Sequence, residues 1–258
     1  MSQADYSALD RPEILAFVFY PRKDHTRAPS GASDHFIAVE KDVSICCRFY
    51  IHSRGSASIL YFHGNGEVVS DYDYIAPSYN QLGFNLFVAD YRGYGASQGQ
   101  PTLSNTVSDA SIIFKAFEDI LHRGQYCSDV FVMGRSLGSI SAVEMAYRCQ
   151  EKIKGLILES GFAGFINLLL HLGLPAGSLG MEDPEFPNLA KMRTIAVPTL
   201  VIHGECDQII PASEAEALFR SAAASDKRLV LIPGADHNDI MWTGREMYFQ
   251  AIREFVSA

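Results

Sequence analysis

From residue 58 onward the sequence repeats one pattern: a short apolar run, a glycine-rich turn, and a longer stretch with helical spacing. The runs at 59–62, 85–89 and 130–133 are apolar at consecutive positions rather than at alternate ones. Continuous apolar strands that alternate with helices are typical of a mostly parallel sheet covered on both faces. The sequence therefore predicts a doubly wound α/β sheet.

The predicted elements account for most of the chain. Residues 14–20 and 35–50 have the composition of an opening antiparallel sheet, separated by a polar, turn-rich segment at 21–33. Parallel strands are predicted at 59–62, 85–89, 130–133, 155–158, 199–202 and 228–232, and helices at 72–82, 103–123, 137–148, 213–223 and 245–256. These elements give a sheet of about eight strands in one domain, since α/β folds of this length commonly stay undivided.

One interruption, at residues 161–197, follows the sixth predicted strand. Its first part is strongly apolar and its second part is acidic and broken by prolines. A connection of this length is long, and such connections often cover a site. We therefore expect a small cap within the domain, in which Phe162, Phe165 and Leu169, with Leu168 and Leu172, line an acyl pocket. Ordinary packing of a helix against the core is an equally good interpretation.

Charge and cysteine content exclude several classes of partner. A formal net charge of −9 disfavours nucleic acid and anionic membrane surfaces, both of which select basic patches. The sequence has neither an apolar run of roughly 18 residues, as an integral membrane segment needs, nor the basic, apolar start of a signal peptide. The 5 cysteines are odd in number and form no C-x-x-C pair, which is typical of reduced thiols. We expect a cytoplasmic protein.

The GRSLG sequence at 134–138 matches the G-x-S-x-G pattern of a nucleophile elbow. It follows a predicted strand and opens a predicted helix, as such an elbow requires. The two glycines allow a tight turn that exposes Ser136 in a strained conformation at a helix N-terminus. The alternative, a glycine-flanked helix cap, explains the serine but not its context. We interpret Ser136 as the nucleophile.

A serine nucleophile needs a base, and His237 is the best of 8 histidines. It lies in the turn-rich loop after the last predicted strand, which ends at the same sheet edge as the elbow. A solvated loop histidine is the alternative. His63 and His203 each end a strand before a glycine, and we interpret both as supports for their turns.

The base in turn needs a carboxylate that fixes its tautomer. Asp207 follows the strand predicted at 199–202 and gives the chain order serine, aspartate, histidine of an α/β-hydrolase triad. Glu205 and Glu159 are the rivals. Asp236 and Asp239 lie too close in sequence to the histidine to orient it well, and are interpreted as loop-forming.

Acyl transfer also needs hydrogen-bond donors at the oxyanion. The backbone N–H of Leu137, directly after the nucleophile, is one candidate. The second is expected from the loop after the first parallel strand, at Asn65 or, as an alternative, Gly66. A plain glycine turn is the other interpretation of this loop.

Five segments, HGNGE, DYRGYGASQGQP, MGRSLG, HGECDQIIP and GADHND, resemble the α/β-hydrolase superfamily in content and order. They are most similar to the Bem46-like and the ABHD13- and ABHD17-like serine hydrolases. The resemblance implies a Ser136–Asp207–His237 triad, an Asn65/Leu137 oxyanion hole, no metal and no cofactor. It also implies that the turn at 90–95 is structural. HGNG replaces the HGNA usual in the narrower group, some of whose members are membrane-associated depalmitoylases.

The expected function is a carboxylesterase that acts on a small-molecule acyl substrate through an acyl-enzyme. A thioesterase or protein depalmitoylase is the first alternative, and a peptidase the second. A non-catalytic binding protein on the same fold is the alternative from another class, which the intact triad residues disfavour. Fold alone does not separate these possibilities, because function depends on the site.

Overall fold

A computed structural model describes residues 6–165, 168–169, 173 and 187–258. The strands are β1 Ala32–Glu40, β2 Val43–Tyr50, β3 Ser58–Phe62, β4 Asn85–Ala89, β5 Val130–Arg135, β6 Gly155–Glu159, β7 Thr199–Gly204 and β8 Lys227–Ile232. The α-helices are α1 Pro12–Val18, α2 Ala76–Gln81, α3 Leu103–Gly124, α4 Ser139–Arg148, α5 Pro187–Met192, α6 Ala212–Ser221, α7 Ile240–Thr243 and α8 Arg245–Val256. The strands form one sheet of 8 in the order β1-β2-β4-β3-β5-β6-β7-β8.

The sheet confirms the predicted α/β-hydrolase fold. Strand β1 pairs antiparallel with β2, and β2 antiparallel with β4, whereas every other pair is parallel. Successive residues of a strand point to opposite faces. In β3, Leu60 and Phe62 pack into the core cluster on one face, and Ile59 and Tyr61 into the cluster on the other. Burial on both faces explains why the central strand β3 is apolar at every position from Ile59 to Phe62.

The carboxyl ends of the six parallel strands share one edge of the sheet. The chain leaves that edge after β3 into residues 63–68, after β5 into Ser136, after β7 into Asp207 and after β8 into His237. Side chains far apart in sequence therefore meet there, in the crevice where open α/β sheets bind ligands.

Two elements differ from the prediction. The segment at 14–20 is not a strand: Pro12 begins helix α1, and Ile14 and Val18, four residues apart, are buried on one face of it. The helix predicted at 72–82 is instead a 3-10 turn, Val69–Asp73, followed by α2, with a proline in the first turn of α2. Short helices of this kind have too few turns for their periodicity to stand out.

The expectations for residues 161–197 fall largely outside the described residues. The sixth strand ends at Glu159, one residue beyond the predicted end, and α5 begins at Pro187. The cap and the single domain stay predictions. None of the helices in the described part of the chain has the length and hydropathy that a membrane span would need.

Candidate active site

Ser136 lies in a sharp turn between β5 and α4. Its φ is 49°, in the left-handed region that residues with a Cβ seldom adopt. The flanking glycines allow the close approach: a Cβ at Gly134 would overlap the Gly138 carbonyl oxygen, and one at Gly138 would overlap the Phe62 carbonyl oxygen. The strand, the strained serine and the helix together form the turn that the sequence predicted.

Replacement of Gly138 by alanine is expected to destabilise the fold, because the obstructing atoms are backbone of β3 and cannot rotate away. Overpacking of this kind costs up to about 3 kcal/mol in free energy of unfolding. Urea denaturation of the variant should show a lower midpoint with an unchanged slope. Gly55→Ala, at a glycine whose added Cβ would meet open space, is the control and should keep a midpoint close to that of the wild type. Equal losses in the two variants would contradict the steric argument.

His237 bridges Ser136 and Asp207. Its Nε2 atom lies 3.1 Å from Ser136 Oγ, and its Nδ1 atom lies 2.7 Å from Asp207 Oδ2. Both the histidine and the aspartate are buried, at 6 % relative exposure each. With Nδ1 protonated toward the carboxylate, Nε2 is left as an acceptor facing the serine hydroxyl. The arrangement suits proton transfer from Ser136 to His237.

The Asp207 carboxylate is held by donors on both of its oxygens. Oδ1 accepts from the backbone N–H groups of Ile209 and Ile210 at 2.9 and 2.7 Å, while Oδ2 accepts from His237. His203 Nε2 lies 3.3 Å from Oδ2. Burial raises the pKa of Asp207, but the hydrogen bonds from His203 and His237 outweigh it and hold that pKa well below its usual range. The carboxylate is ionised at neutral pH.

The two rival carboxylates lie elsewhere. Glu205 is exposed. Glu159 is fully buried, and its Oε2 accepts from the hydroxyls of Tyr61 and Tyr248 at 2.9 and 2.7 Å. Asp236 accepts from the backbone N–H of His237 at 2.6 Å.

Asn65 and Leu137, whose backbone N–H groups are the predicted oxyanion donors, line one cavity together with Ser136. The Asn65 side chain points elsewhere: its Oδ1 accepts from the Tyr20 backbone N–H at 3.0 Å and from the Tyr94 hydroxyl at 2.6 Å. These bonds fix the loop that carries the Asn65 amide.

A cavity of about 200 Å³ opens onto Ser136 and His237. Its described lining residues include apolar ones, Val18, Leu137, Leu168 and Ile209, and others with polar or backbone groups, Gly64, Asn65, Glu67, Arg135 and Asn238. A wider groove of about 830 Å³ lies between α2 and α8, but the described residues that line it include no triad member. The smaller cavity is the candidate active site.

The residues predicted to line an acyl pocket belong to an apolar cluster that borders this cavity. Phe162, Phe165 and Leu169 are buried in the same apolar cluster as Val18 and Leu137, which line it. From that stretch of the chain Leu168 is among the described lining residues, whereas Leu172 lies outside the described residues. The acyl-pocket role of Phe162, Phe165 and Leu169 stays a prediction. Val18, from α1, was not anticipated, because no motif marks it.

A buried ionic cluster also borders the cavity and was not anticipated. Arg135 Nε donates to Glu67 Oε1 at 2.7 Å, and Nη1 lies 3.3 Å from Glu159 Oε1. Burial lowers the pKa of Arg135, but the two carboxylates outweigh it and raise that pKa well above its usual range. Burial raises the pKa of Glu67, but the charges of Arg135 and His63 lower it to about 2.

Because the pKa of Glu67 is lowered in the folded protein, we expect this carboxylate to affect how the free energy of unfolding depends on acid pH. A carboxyl whose pKa falls on folding stabilises the native state above its unfolded pKa, and that contribution is lost as the pH falls through the folded value. Between about pH 4.5 and pH 2, the free energy of unfolding of the wild type should therefore fall more steeply than that of Glu67→Gln. Urea denaturation at a series of pH values measures both slopes. Equal slopes for the wild type and Glu67→Gln would contradict a lowered pKa of Glu67 in the folded protein.

One group of side chains resembles a metal site. Ligand atoms of His25, Asp34 and Cys46 lie within 4.8 Å of one another. Arg48 already donates to both oxygens of Asp34, at 2.6 and 3.1 Å. Burial raises the pKa of the Cys46 thiol to about 12, which opposes thiolate ligation. The geometry is that of a buried ion pair.

The chain matches one protein family and is similar in sequence to several known proteins. A family described as Serine aminopeptidase, S33, matches residues 53–173 and 188–241, which include Ser136, Asp207 and His237. The uncharacterized protein YfhR of Escherichia coli K12 is 31% identical over 240 residues, which cover 88% of this chain and 82% of that protein. Human alpha/beta hydrolase domain-containing protein 17B is 30% identical over 218 residues, which cover 83% of this chain and 71% of that protein.

Solved structures share the fold at lower sequence identity. The Pyrococcus furiosus esterase Pf2001 superposes with a TM-score of 0.75 at 18% identity, over 92% of this chain and 98% of that one. A monoacylglycerol lipase from Paleococcus ferrophilus superposes with a TM-score of 0.62 at 20% identity, over 83% of this chain and 98% of that one. At this identity the likeness is one of fold.

Proposed function

The chain belongs to the α/β-hydrolase family described as serine aminopeptidase S33 and is a hydrolase, and we propose that it cleaves a carboxylic ester through an acyl-enzyme on Ser136. The observation that supports this proposal is the hydrogen-bonded series Ser136 Oγ, His237 Nε2, His237 Nδ1 and Asp207 Oδ2, at 3.1 and 2.7 Å. It faces a cavity that is also lined by Asn65 and Leu137, the residues whose backbone amides we assign to the oxyanion.

In the first half of the proposed reaction, Ser136 Oγ attacks the ester carbonyl carbon while His237 Nε2 takes the serine proton. The carbonyl oxygen becomes an oxyanion, which accepts hydrogen bonds from the Asn65 and Leu137 amides. Each such donor contributes roughly 10²–10³-fold to rate in serine hydrolases. His237 then gives its proton to the departing alkoxide, and the acyl group remains on Ser136.

In the second half, His237 deprotonates a water molecule that attacks the acyl carbonyl. The tetrahedral intermediate collapses, Ser136 recovers its proton from His237, and the carboxylic acid leaves. Asp207 stays ionised throughout and stabilises the imidazolium, as its lowered pKa favours.

The composition of the cavity lining bears on which substrates fit. The apolar residues Val18, Leu168 and Ile209 suit an acyl chain, and the polar residues Glu67 and Asn238 suit a polar leaving group. Thioesters, as in a depalmitoylase, and peptide amides use the same steps and are the alternatives, the second suggested also by the description of the family. A non-catalytic binding role is the alternative from another class.

A fluorophosphonate probe tests the proposed nucleophile directly. We expect covalent labelling of the wild type that maps to the peptide containing Ser136, together with hydrolysis of p-nitrophenyl esters over a series from acetate to dodecanoate. Acyl thioesters and aminoacyl p-nitroanilides run in parallel distinguish the alternatives. A folded wild type that is not labelled would contradict catalysis by Ser136 and would favour the binding role.

A further inference from the structure

The side chain of Arg135 contacts two of the loops that the proposed reaction uses: residues 63–68 after β3, here called the oxyanion loop, and the loop after β8 that carries His237, here called the histidine loop. Arg135 precedes the nucleophile in the chain, and its side chain is only 6% exposed. We propose that Arg135 is a positioning residue, whose guanidinium holds the oxyanion loop and the histidine loop in register with Ser136. This inference rests on the proposed function and concerns how Ser136, His237 and the Asn65 amide are kept aligned.

On one side, Arg135 reaches the oxyanion loop through Glu67. Arg135 Nε donates to Glu67 Oε1 at 2.7 Å. The other oxygen of that carboxylate accepts from the Gly64 backbone N–H at 2.9 Å and from the Tyr72 hydroxyl at 2.7 Å. Since Gly64 directly precedes Asn65, the ion pair fixes the backbone that carries the proposed oxyanion donor.

On the other side, Arg135 binds the histidine loop itself. Nη1 donates to the His237 carbonyl oxygen at 3.1 Å, and Nη2 donates to Asn238 Oδ1 at 3.2 Å. The planar guanidinium presents its donors in a fixed fork, so the two contacts specify an orientation as well as a distance. A lysine ammonium has no comparable fork and would satisfy only part of this set.

The carboxylates around Arg135 make a single substitution of the arginine hard to interpret. One guanidinium faces two carboxylates, Glu67 and Glu159, and removal of the arginine alone would leave both without a counter-charge. Breaking a buried pair in this way is strongly destabilising, which would confuse a loss of fold with a loss of alignment. The double variant Arg135→Met/Glu67→Gln removes one positive and one negative charge and preserves the net charge of the cluster. The glutamine amide oxygen can still accept from Gly64.

Arg48 provides a matched control. It is also a buried arginine that faces two carboxylates, Asp34 and Asp73, but none of these residues lines the cavity. Arg48→Met/Asp34→Asn therefore removes an equivalent ion pair away from the site. Any effect that both double variants share reports on the fold, and any effect confined to the Arg135 variant reports on the site.

The measurement is p-nitrophenyl ester hydrolysis, with the active fraction of each protein counted by fluorophosphonate titration and Tm recorded alongside. Misplacement of reacting groups by about 1 Å can cost 10²-fold, so we expect kcat per active site to fall by about 10- to 100-fold in Arg135→Met/Glu67→Gln. KM should change less than kcat, because the apolar lining residues Val18, Leu168 and Ile209 are unaltered, although Arg135 and Glu67 also line the cavity. Arg135→Lys should lie between the double variant and the wild type, and the Arg48 control should keep wild-type kcat.

Two results would overturn the inference, and they are distinguishable from failure of the proposed function. The first is wild-type kcat per active site in the folded double variant. The second is an equal fall in kcat for the Arg48 control. In both cases the wild type is labelled and active, so the proposed function stands. An unlabelled, inactive wild type would overturn the proposed function and this inference with it.

Discussion

Replacing Ser136 by alanine is expected to lower kcat for the proposed ester hydrolysis by about 10⁶-fold, as removal of the nucleophile does in serine hydrolases with a triad. The hydroxyl is the group aimed at His237 Nε2, and alanine leaves nothing to form an acyl-enzyme. Residual hydrolysis would come from the oxyanion donors and from binding alone. Stability should change little, because alanine experiences the same left-handed backbone strain as serine at this position.

The measurement for Ser136→Ala combines steady-state kinetics, probe labelling and Tm. Ser141→Ala is the matched control, since Ser141 is a buried serine in α4 whose hydroxyl donates to the Thr106 carbonyl oxygen rather than to a triad member. We expect the control to be labelled and active. Persistent labelling of Ser136→Ala, or equal loss in the control, would show that the nucleophile lies elsewhere.

Asp207→Asn is expected to lower kcat by about 10⁴-fold while preserving the fold. The reason lies in the donors around the carboxylate. Oδ1 accepts two backbone N–H groups, so the amide oxygen of an asparagine would face Ile209 and Ile210 and its NH₂ would face His237 Nδ1. That contact favours the tautomer with its proton on Nε2, which cannot accept the proton of Ser136.

Glu205→Gln is the control for Asp207→Asn, because Glu205 is the nearest rival carboxylate in the sequence and is exposed. Its kcat should equal that of the wild type. Probe labelling of Asp207→Asn should be slowed in the same proportion as ester turnover, since both depend on the base. A large loss in Glu205→Gln with none in Asp207→Asn would reverse the assignment of the acid.

The sequence predicted the sheet well because its strands are short, continuously apolar and regularly spaced, as burial on both faces requires. The strand at 85–89 and the helix at 245–256 match the structure at both ends. Helix α1 was predicted as part of the sheet because only Ile14 and Val18 show its period, and two positions do not distinguish a helix from a strand.

The three residues predicted as a triad lie within hydrogen-bonding distance of one another in series, whereas the residues that hold their loops were not anticipated from the sequence. Each triad residue directly follows or closely follows a strand at one sheet edge, which a sequence pattern records. The contacts of Arg135 with Glu67, Glu159 and Asn238 join positions that are 68, 24 and 103 residues apart. No local pattern records such contacts, because they depend on how three loops fold back over the same edge.

The N-terminal segment has a consequence for protein engineering. Val18 lines the cavity, and the Tyr20 backbone N–H is one of the two donors to the Asn65 side chain. A fragment that starts at β1 would keep the whole sheet and every triad side chain, yet it would lack one wall of the cavity and one restraint on the oxyanion loop. The smallest unit worth expressing for activity therefore begins ahead of α1.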